Sequence, residues 1–367
     1  MRAKRSASLL LGLLALLGVV VAIGWSATRK NTVETEQARL AAQTTVRVVS
    51  GSEKMGLLTD PRFLTAMARH GLVVEARKAG SREIATRPDL SRFDVAFPAG
   101  QPAAAKIREA IPAKGAETVL VTPMVIASWQ PIAATLEAND VVRRTDDGHR
   151  VVDMARLLAL MDADTRWRDL PHNEAFSVGK SVLVSTTDVR TSNSAAQFLA
   201  LASYLGNGRD VVTSTGSATR LAAQLTPLFA KQGFQERSSA GPFEDYLTIG
   251  MGKVPLVWIY EAQFFEHALA GHLKTDMVLL YPSPTIFSKH VAVALSDTGL
   301  RFIQAMADPQ IQAIAADYGY RAGNPAALQS RLATHGLTPP EIIDVADAPT
   351  HDLLEHMIVT IEARLTH

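Results

Sequence analysis

Segments typical of β-strands alternate with helical patterns along this chain, and no other sequence feature limits its possible folds as strongly. The strand-like segments of the first part are TTVRVVS, LVVEARKA, FDVAFPAG and TVLVTPMVIAS. Strands separated by helical segments of about ten residues are typical of βαβ units, whose strands lie parallel in one sheet. The sequence therefore predicts an α/β protein.

The order of these segments also predicts how the chain divides. A different pattern begins at Val141, with helices expected over 154–170, after Ser194 and over 217–232, and short strands at GKSVLVST and DVVTST. The first pattern returns after Gly252 in KVPLVWIY, MVLLYP and HVAVAL. One domain interrupted by a second is the simplest interpretation, with crossings near 122–128 and 256–263. The predicted parts are a signal-anchor at 1–30, a tether at 31–44, lobe 1 at 45–125 plus 257–323, lobe 2 at 126–256 and a helical C-terminal appendage at 324–367.

Length and charge exclude several classes of protein. With 367 residues, the chain exceeds the roughly 100–200 residues of one domain, so two domains are expected. Lys and Arg number 37 against 36 Asp and Glu, so no broad positive field attracts nucleic acid, and none is expected as a partner. There is no cysteine, which excludes disulfides, thiolate metal sites and cysteine nucleophiles.

The N-terminus predicts a membrane segment. Arg2, Lys4 and Arg5 precede an uncharged, mostly apolar stretch over 6–28, and Arg29 follows it. About 20 apolar residues span the ~30 Å hydrocarbon layer of a bilayer as a helix. The basic flank places the N-terminus in the cytoplasm and the rest of the chain outside. We expect an uncleaved, single-pass anchor in the bacterial inner membrane with the folded part in the periplasm; a cleaved signal peptide is the alternative.

Small polar loops follow three of the predicted strands. They are Ser50-Gly51-Ser52-Glu53-Lys54, Gly80-Ser81-Arg82-Glu83 and Thr191-Ser192-Asn193-Ser194. Ligands of open α/β sheets bind beyond the carboxyl ends of strands, where such loops meet helix N-termini. A helix starting near Ala195 has unpaired backbone N–H groups that the hydroxyls can cap or that a ligand can occupy. Both interpretations of this stretch stay open.

The order and spacing of these segments resemble those of the type II periplasmic solute-binding proteins of ABC importers, and more closely a membrane-anchored subset of bacterial substrate-binding-domain proteins. The similarity covers about 45–323 and includes VRVVSGSEK, TDVRTSNSAAQFLALASYL and VPLVWIYEAQF. It implies two lobes, the second inserted into the first, that close around a solute by a hinge motion. It also implies a membrane permease, or another membrane complex, as partner.

The resemblance also implies which residues contact the solute. By position these are Ser50, Gly51, Ser52, Glu53, Lys54, Gly80, Ser81, Arg82, Ser128, Thr191, Ser192, Asn193, Ser194, Tyr260 and Glu261. Other roles are open for some of them, because Tyr260 fits a core position, Glu261 an ion pair and Ser128 a helix cap.

The charges near these loops leave the class of solute open. Lys54, Arg82 and Arg190 suit an anion through charge-assisted hydrogen bonds. Glu53, Glu83 and Glu261 suit an amine or a cation. A zwitterion or a small polar organic molecule fits both sets, whereas an oxyanion fits only the first. A small polar or anionic solute is therefore expected.

Enzyme and metal sites have little support in the sequence. Ser177-Val178-Gly179-Lys180 matches S-x-x-K, but it precedes a strand-like run and the S-D-N-like and K-T-G elements that should accompany it are not found. His267 and His272 are five residues apart, which places them on different faces of a helix. We expect no catalysis, metal or cofactor, and a remote serine hydrolase is the enzymatic alternative. An anchored sensor or assembly partner with the same fold is the closer alternative.

Overall fold

A computed structural model describes residues 43–233, 240–323 and 325–365 of the chain. Within these ranges, no helix has both the length and the apolar character needed to cross a membrane. The predicted signal-anchor (1–30) and nearly all of the predicted tether (31–44) lie outside the described residues.

The described chain is a mixed α/β fold, which confirms the predicted class. Its strands are β1 Thr44–Ser50, β2 Leu72–Lys78, β3 Val95–Phe97, β4 Gly115–Trp129, β5 Val142–Arg144, β6 Arg150–Asp153, β7 Leu256–Tyr260, β8 Met277–Ser283, β9 Thr285–Ala294, β10 Arg321–Ala322 and β11 Val345–Ala346. Its helices are α1 Met55–Thr59, α2 Pro61–Arg69, α3 Ser81–Thr86, α4 Gln101–Ala110, α5 Gln130–Ala138, α6 Met154–Asp162, α7 Asn193–Gly206, α8 Thr215–Ala230, α9 Ala240–Thr248, α10 Glu261–Leu269, α11 Asp297–Ala305, α12 Pro309–Asp317, α13 Pro325–Ala333 and α14 His351–Leu365. The parallel arrangement expected from βαβ units holds for β1, β2 and β3 but is wrong for β4, which pairs antiparallel with β7, β8 and β9.

One strand, β4, connects the two halves of the sheet. Its residues 115–123 pair with β9, and its residues 124–129 pair with β7 and β8. We call β2, β1, β3, β9 and residues 115–123 the N-terminal half-sheet. The central half-sheet contains residues 124–129, β7, β8, β6 and β5. The chain passes between the halves a second time where β8 is followed by β9.

The apolar cores follow the same division. A large cluster includes Met124, Trp258 and Phe198 and covers the central half-sheet. Two smaller clusters, one with Val46 and one with Val49, cover the two faces of the N-terminal half-sheet. Each half therefore carries its own core.

Two predicted strands of the middle region are wrong, although both segments are fully described. Residues 179–186 form only isolated bridges, and their amides find other acceptors, including Thr165 O for Val182 N at 2.7 Å. Residues 210–215 lead into α8, where Ser214 Oγ accepts from Ser217 N at 3.2 Å. Polar partners supplied by neighbouring elements replace a strand ladder in both segments.

The helix predicted over 154–170 is also too long. Helix α6 ends at Asp162, because Asp164 has a positive φ of 54°, which interrupts the helical backbone. The C-terminal helix α14 packs on α8 and buries Leu354, Met357 and Ile358 in the large core cluster. These residues therefore serve the core rather than an exposed docking face.

Candidate functional site

A small cavity of about 30 Å³ lies at the carboxyl ends of β1 and β2. These strands are parallel neighbours, so the loops that follow them meet at one edge of the sheet. The cavity is lined by Gly51, Ser52, Glu53, Ala79, Gly80, Ser81, Thr191, Ser192, Asn193 and Tyr260. All three polar loops singled out in the sequence thus contribute to the lining of one cavity.

The structure brings nine of the fifteen predicted site residues to this cavity and leaves six outside its lining. The six are Ser50, Lys54, Arg82, Ser128, Ser194 and Glu261. Ser50 and Ser194 lie directly beside lining residues but are fully buried, and Ser194 Oγ is 3.0 Å from Thr187 Oγ1. Their neighbours in the chain face the cavity in their place.

Ser128 and Glu261 lie away from the cavity for clear physical reasons. Ser128 is buried near the C-terminal end of β4, and its Oγ donates to Pro255 O at 3.0 Å. Glu261 is fully buried and accepts two hydrogen bonds from Arg321 at 2.7 and 2.8 Å. It also accepts from Tyr281 OH at 2.9 Å. Both side chains therefore have internal partners.

Helical segments begin at the cavity without side-chain caps. A 3₁₀ turn over Ser52–Lys54, helix α3 and helix α7 all start there. The N-cap residues of the first two are Gly51 and Gly80, which have no side chain, and the Ser192 side chain accepts no capping hydrogen bond from α7. Elsewhere, by contrast, Asp60 caps α2 and Asp153 caps α6. The uncapped first turns leave backbone N–H groups and positive helix-dipole ends beside the cavity.

Contacts between opposite walls make the cavity narrow. Asn193 Nδ2, at the start of α7, donates to Tyr260 OH at 3.2 Å and to Ala99 O at 3.4 Å. A Cβ atom at Gly80 would lie 3.1 Å from Thr191 O, so glycine permits this close approach. The walls are therefore in a closed arrangement.

The cavity floor contains a buried charge cluster, which we define as Glu53, Lys54 and His290. Lys54 Nζ forms an ion pair with Glu53 Oε1 and lies 3.0 Å from His290 Nδ1. His290 Nδ1 is also 3.5 Å from Glu53 Oε1. The side chains of Lys54 and His290 are 0% exposed and that of Glu53 is 7% exposed. Only Glu53 of the three lines the cavity.

The environment of this cluster fixes its protonation. Burial alone would raise the pKa of Glu53, but the charge of Lys54 and hydrogen bonding from His290 lower it far below its usual range. Burial lowers the pKa of Lys54, an effect that the carboxylate opposes. Burial, reinforced by the Lys54 charge, lowers the pKa of His290 to about 4. At neutral pH Glu53 is thus ionised and His290 is a neutral imidazole.

Neighbouring residues hold the cluster in place, and the sequence did not point to them. Tyr320 OH donates to the backbone oxygen of Glu53 at 2.9 Å, and Lys54 Nζ lies 4.8 Å from the centre of the Phe97 ring. Ser288 Oγ is 3.3 Å from His290 Nε2. The one available signal was the histidine at the start of the apolar run HVAVAL, because a buried strand histidine needs a partner.

The cavity mouth carries a second set of charged contacts, outside the floor. Arg82 lines a wider pocket of about 410 Å³ there and forms a bidentate pair with Glu355 of α14 at 2.5 Å. Its guanidinium also donates to Val189 O at 3.2 Å. Lys106 of α4 pairs with Asp352 of α14 at 2.9 Å. We call Arg82–Glu355 and Lys106–Asp352 the mouth ion pairs.

The residues considered for other chemistry lie elsewhere. Lys180 of the S-x-x-K match donates to Gly252 O and Lys253 O, both at 3.0 Å, and lies in a loop. The rings of His267 and His272 are 5.9 Å apart. In the described parts of the chain, no group of three or more His, Cys, Asp or Glu side chains is placed to hold a metal ion.

Comparisons with known proteins identify the fold. No family model matches the sequence, and no curated protein matches it. Among solved structures, iron-bound HitA from Pseudomonas aeruginosa matches with a TM-score of 0.54 at 13% identity, over 88% of this chain and 100% of that chain. The chain has the fold of periplasmic binding proteins.

Two further similar structures bind chemically different solutes. The periplasmic binding protein AfuA from Actinobacillus pleuropneumoniae, with fructose-6-phosphate bound, has a TM-score of 0.53 at 10% identity over 88% of this chain and 96% of that chain. The sulfate-binding protein SubI from Mycobacterium tuberculosis H37Rv has a TM-score of 0.50 at 16% identity, over 85% of this chain and 96% of that chain. The fold alone therefore does not specify a solute.

Proposed function

We propose that this chain is a membrane-anchored, extracytoplasmic solute-binding protein that closes around a small polar solute and passes it to an ABC-type permease. The observation that carries the proposal is the cavity at the carboxyl ends of β1 and β2. It is lined by polar loops, by uncapped helix N-termini and by Tyr260. Such a site binds the hydrogen-bonding groups of a small solute.

The proposed motion is a hinge between the two half-sheets. Two of the connections between them, β4 near Pro123 and the junction of β8 with β9, are continuous backbone next to paired strands. Rotation about two adjacent strand connections opens the cavity without unfolding either core. The pairing of β8 with β4 supports assigning 277–283 to lobe 2 together with β7.

The proposed location follows from the sequence alone. Residues 1–30 would anchor the chain in the bacterial inner membrane, and the fold would lie on the periplasmic side, where a permease could receive the solute. The structural likeness to solute-binding proteins supports the transport role, as it supports a role without catalysis.

The test is a thermal-shift screen of the purified full-length chain in detergent. The panel contains oxyanions, amino acids, polyamines and small sugars. A solute at 100 times its dissociation constant should stabilise the protein by about 2.7 kcal/mol. Stabilisation by one chemical class is the expected result, and no stabilisation by any member would contradict solute binding and favour a sensor or assembly role.

Variants then locate the site. Ser192→Ala and Asn193→Ala should each weaken binding about tenfold in calorimetry, because each removes a hydrogen-bonding group worth about 1 kcal/mol or more. Ser330→Ala, on an exposed face of α13, is the matched control and should leave affinity unchanged. Equal affinities for all three variants would place the solute elsewhere.

A further inference from the structure

The floor of the cavity offers an ionised oxygen. Lys54 and His290 both approach Oε1 of Glu53, and no hydrogen bond to Oε2 is present among the described residues. The carboxylate folds back over Gly51, where any Cβ would collide with it. Since Glu53 lines the cavity, a solute meets a carboxylate whose charge is only partly balanced from behind.

The wall formed by the start of α7 offers hydrogen-bond donors instead of a negative charge. Ser192 lines the cavity and is 7% exposed, yet its hydroxyl has no hydrogen-bond partner in the described structure and does not cap the helix. The N–H groups of the first turn of α7 are therefore available beside an unused hydroxyl donor. A carboxylate or another oxyanion is the group that such a helix terminus binds best.

A solute with one kind of charge satisfies only one of these surfaces. A plain oxyanion would bring a second negative charge next to Glu53, and a plain amine would leave the donors of α7 unused. Among the residues that the structure describes, no Lys or Arg side chain lines the cavity to offset Glu53 from the solute side. The cavity, at about 30 Å³ in this closed arrangement, is also small, since a single water needs roughly 10–15 Å³.

We propose, on the basis of the proposed function, that the solute is a small zwitterion, with an ammonium group held by Glu53 and a carboxylate held by Ser192 and the first turn of α7. The ammonium donates to Glu53 Oε2, and the carboxylate accepts from the Ser192 hydroxyl and backbone N–H groups. Tyr260 OH, which already accepts from Asn193, supplies a further donor. The lysine behind Glu53 keeps the carboxylate ionised without occupying its free oxygen.

The experiment measures, by calorimetry on the full-length chain, the affinity for two zwitterions and for matched solutes that lack one of the two charged groups. Glycine and alanine carry both charges, glycolate and lactate lack the ammonium, and methylamine and ethylamine lack the carboxylate. Glycine or alanine should bind at least tenfold more tightly than its one-charge analogues. Equal or tighter binding of the hydroxy acids, of sulfate or of the amines would overturn the proposal.

The result also separates this proposal from the proposed function. Binding of a sugar or an oxyanion without binding of any zwitterion would overturn the zwitterion proposal and leave solute binding intact. Failure of the whole panel would overturn both.

A pair of variants tests the role of the carboxylate. Glu53→Gln alone would leave the buried Lys54 unpaired, so Glu53→Gln is combined with Lys54→Met, which keeps the floor neutral. The double variant must first be shown to be folded by its cooperative unfolding. Its dissociation constants for glycine and glycolate should then differ less than threefold. A ratio unchanged from that of the natural sequence would overturn the assignment of the ammonium to Glu53.

Discussion

The buried charge cluster and the mouth ion pairs serve the same cleft but lie in opposite environments. Lys54 and His290 are excluded from water, whereas the side chains of Arg82 and Glu355 are 19% and 26% exposed. The cluster belongs to the N-terminal half-sheet, because Glu53 and Lys54 lie in the turn after β1 and His290 lies in β9. The mouth ion pairs instead connect that half with α14, which packs on the central half through α8.

This difference predicts different energetic roles. Breaking a buried ion pair leaves an uncompensated charge and is costly, while an exposed pair contributes little because water and salt screen it. The cluster should therefore affect whether the domain folds, and the mouth ion pairs should affect how readily the cleft opens.

The largest effect is expected from Lys54→Met. It leaves Glu53 buried without its counter-charge and should lower the free energy of unfolding by about 3–5 kcal/mol, measured by urea denaturation. The double variant Glu53→Gln/Lys54→Met is the control and should recover at least half of the loss. A single variant as stable as the natural sequence would show that the pair is not needed for folding.

Acid should destabilise the protein through the same cluster. The pKa of His290 is lowered from 6.5 to about 4 in the folded state, so the unfolded chain binds the extra proton first as the pH falls. The free energy of unfolding should be unaffected by this group above pH 7 and should fall by about 3 kcal/mol between pH 6.5 and 4. The lowered pKa of Glu53 acts in the same direction at still lower pH.

Two histidine variants measure the contribution of this group. His290→Asn should make the dependence of unfolding on pH clearly shallower between 6.5 and 4 in denaturant titrations. His335→Asn, at an exposed position on the surface, should leave the pH profile unchanged. Identical profiles for the two variants would contradict the assignment.

A smaller effect is expected from Glu355→Gln at the mouth. The loss of a half-exposed pair should lower the free energy of unfolding by at most about 1 kcal/mol. The free energy of the closed arrangement should rise by a similar amount relative to that of the open one. Solute affinity should therefore fall about two- to fivefold. Calorimetry measures the solute affinity, and small-angle scattering measures the dimensions of the molecule. If both are unchanged, the Arg82–Glu355 pair does not control closure.

The smallest effect is expected from Asp352→Asn. The Asp352 side chain is 71% exposed, so its pair with Lys106 is screened by solvent. Its urea midpoint should equal that of the natural sequence, at low and at high salt. A salt-dependent loss of stability would show that the two mouth ion pairs act as one network.

Local sequence rules predicted the part of the site that consists of loops. Each polar loop follows a strand whose end the sheet places at the cavity, so Ser52, Ser81 and Ser192 reach it through backbone geometry alone. Glu261 also follows a strand end, but Arg321, sixty residues later, binds it inside the protein. No local pattern predicts a partner at that separation.

The floor of the site was not predictable for the same reason. His290 lies 236 residues from Lys54, and only the pairing of β9 with β3 and β4 brings it under the first polar loop. The false strand at 179–186 shows the converse: its apolar residues are buried as expected, but its backbone meets loops and side chains rather than a neighbouring strand.

The place of β9 between β3 and β4 has a consequence for the order in which the chain folds. Val95 pairs with Ala294, so strands β1 to β3 gain their connection to β4 only when the chain has been made as far as Ala294. Sheets that depend on such distant pairings close slowly, because the intervening loop must be ordered first. The central half-sheet, in contrast, can assemble β4, β7 and β8 from residues 115–283 alone. During synthesis the solute site should therefore not form before β9 has emerged, because this strand carries His290 of the cavity floor.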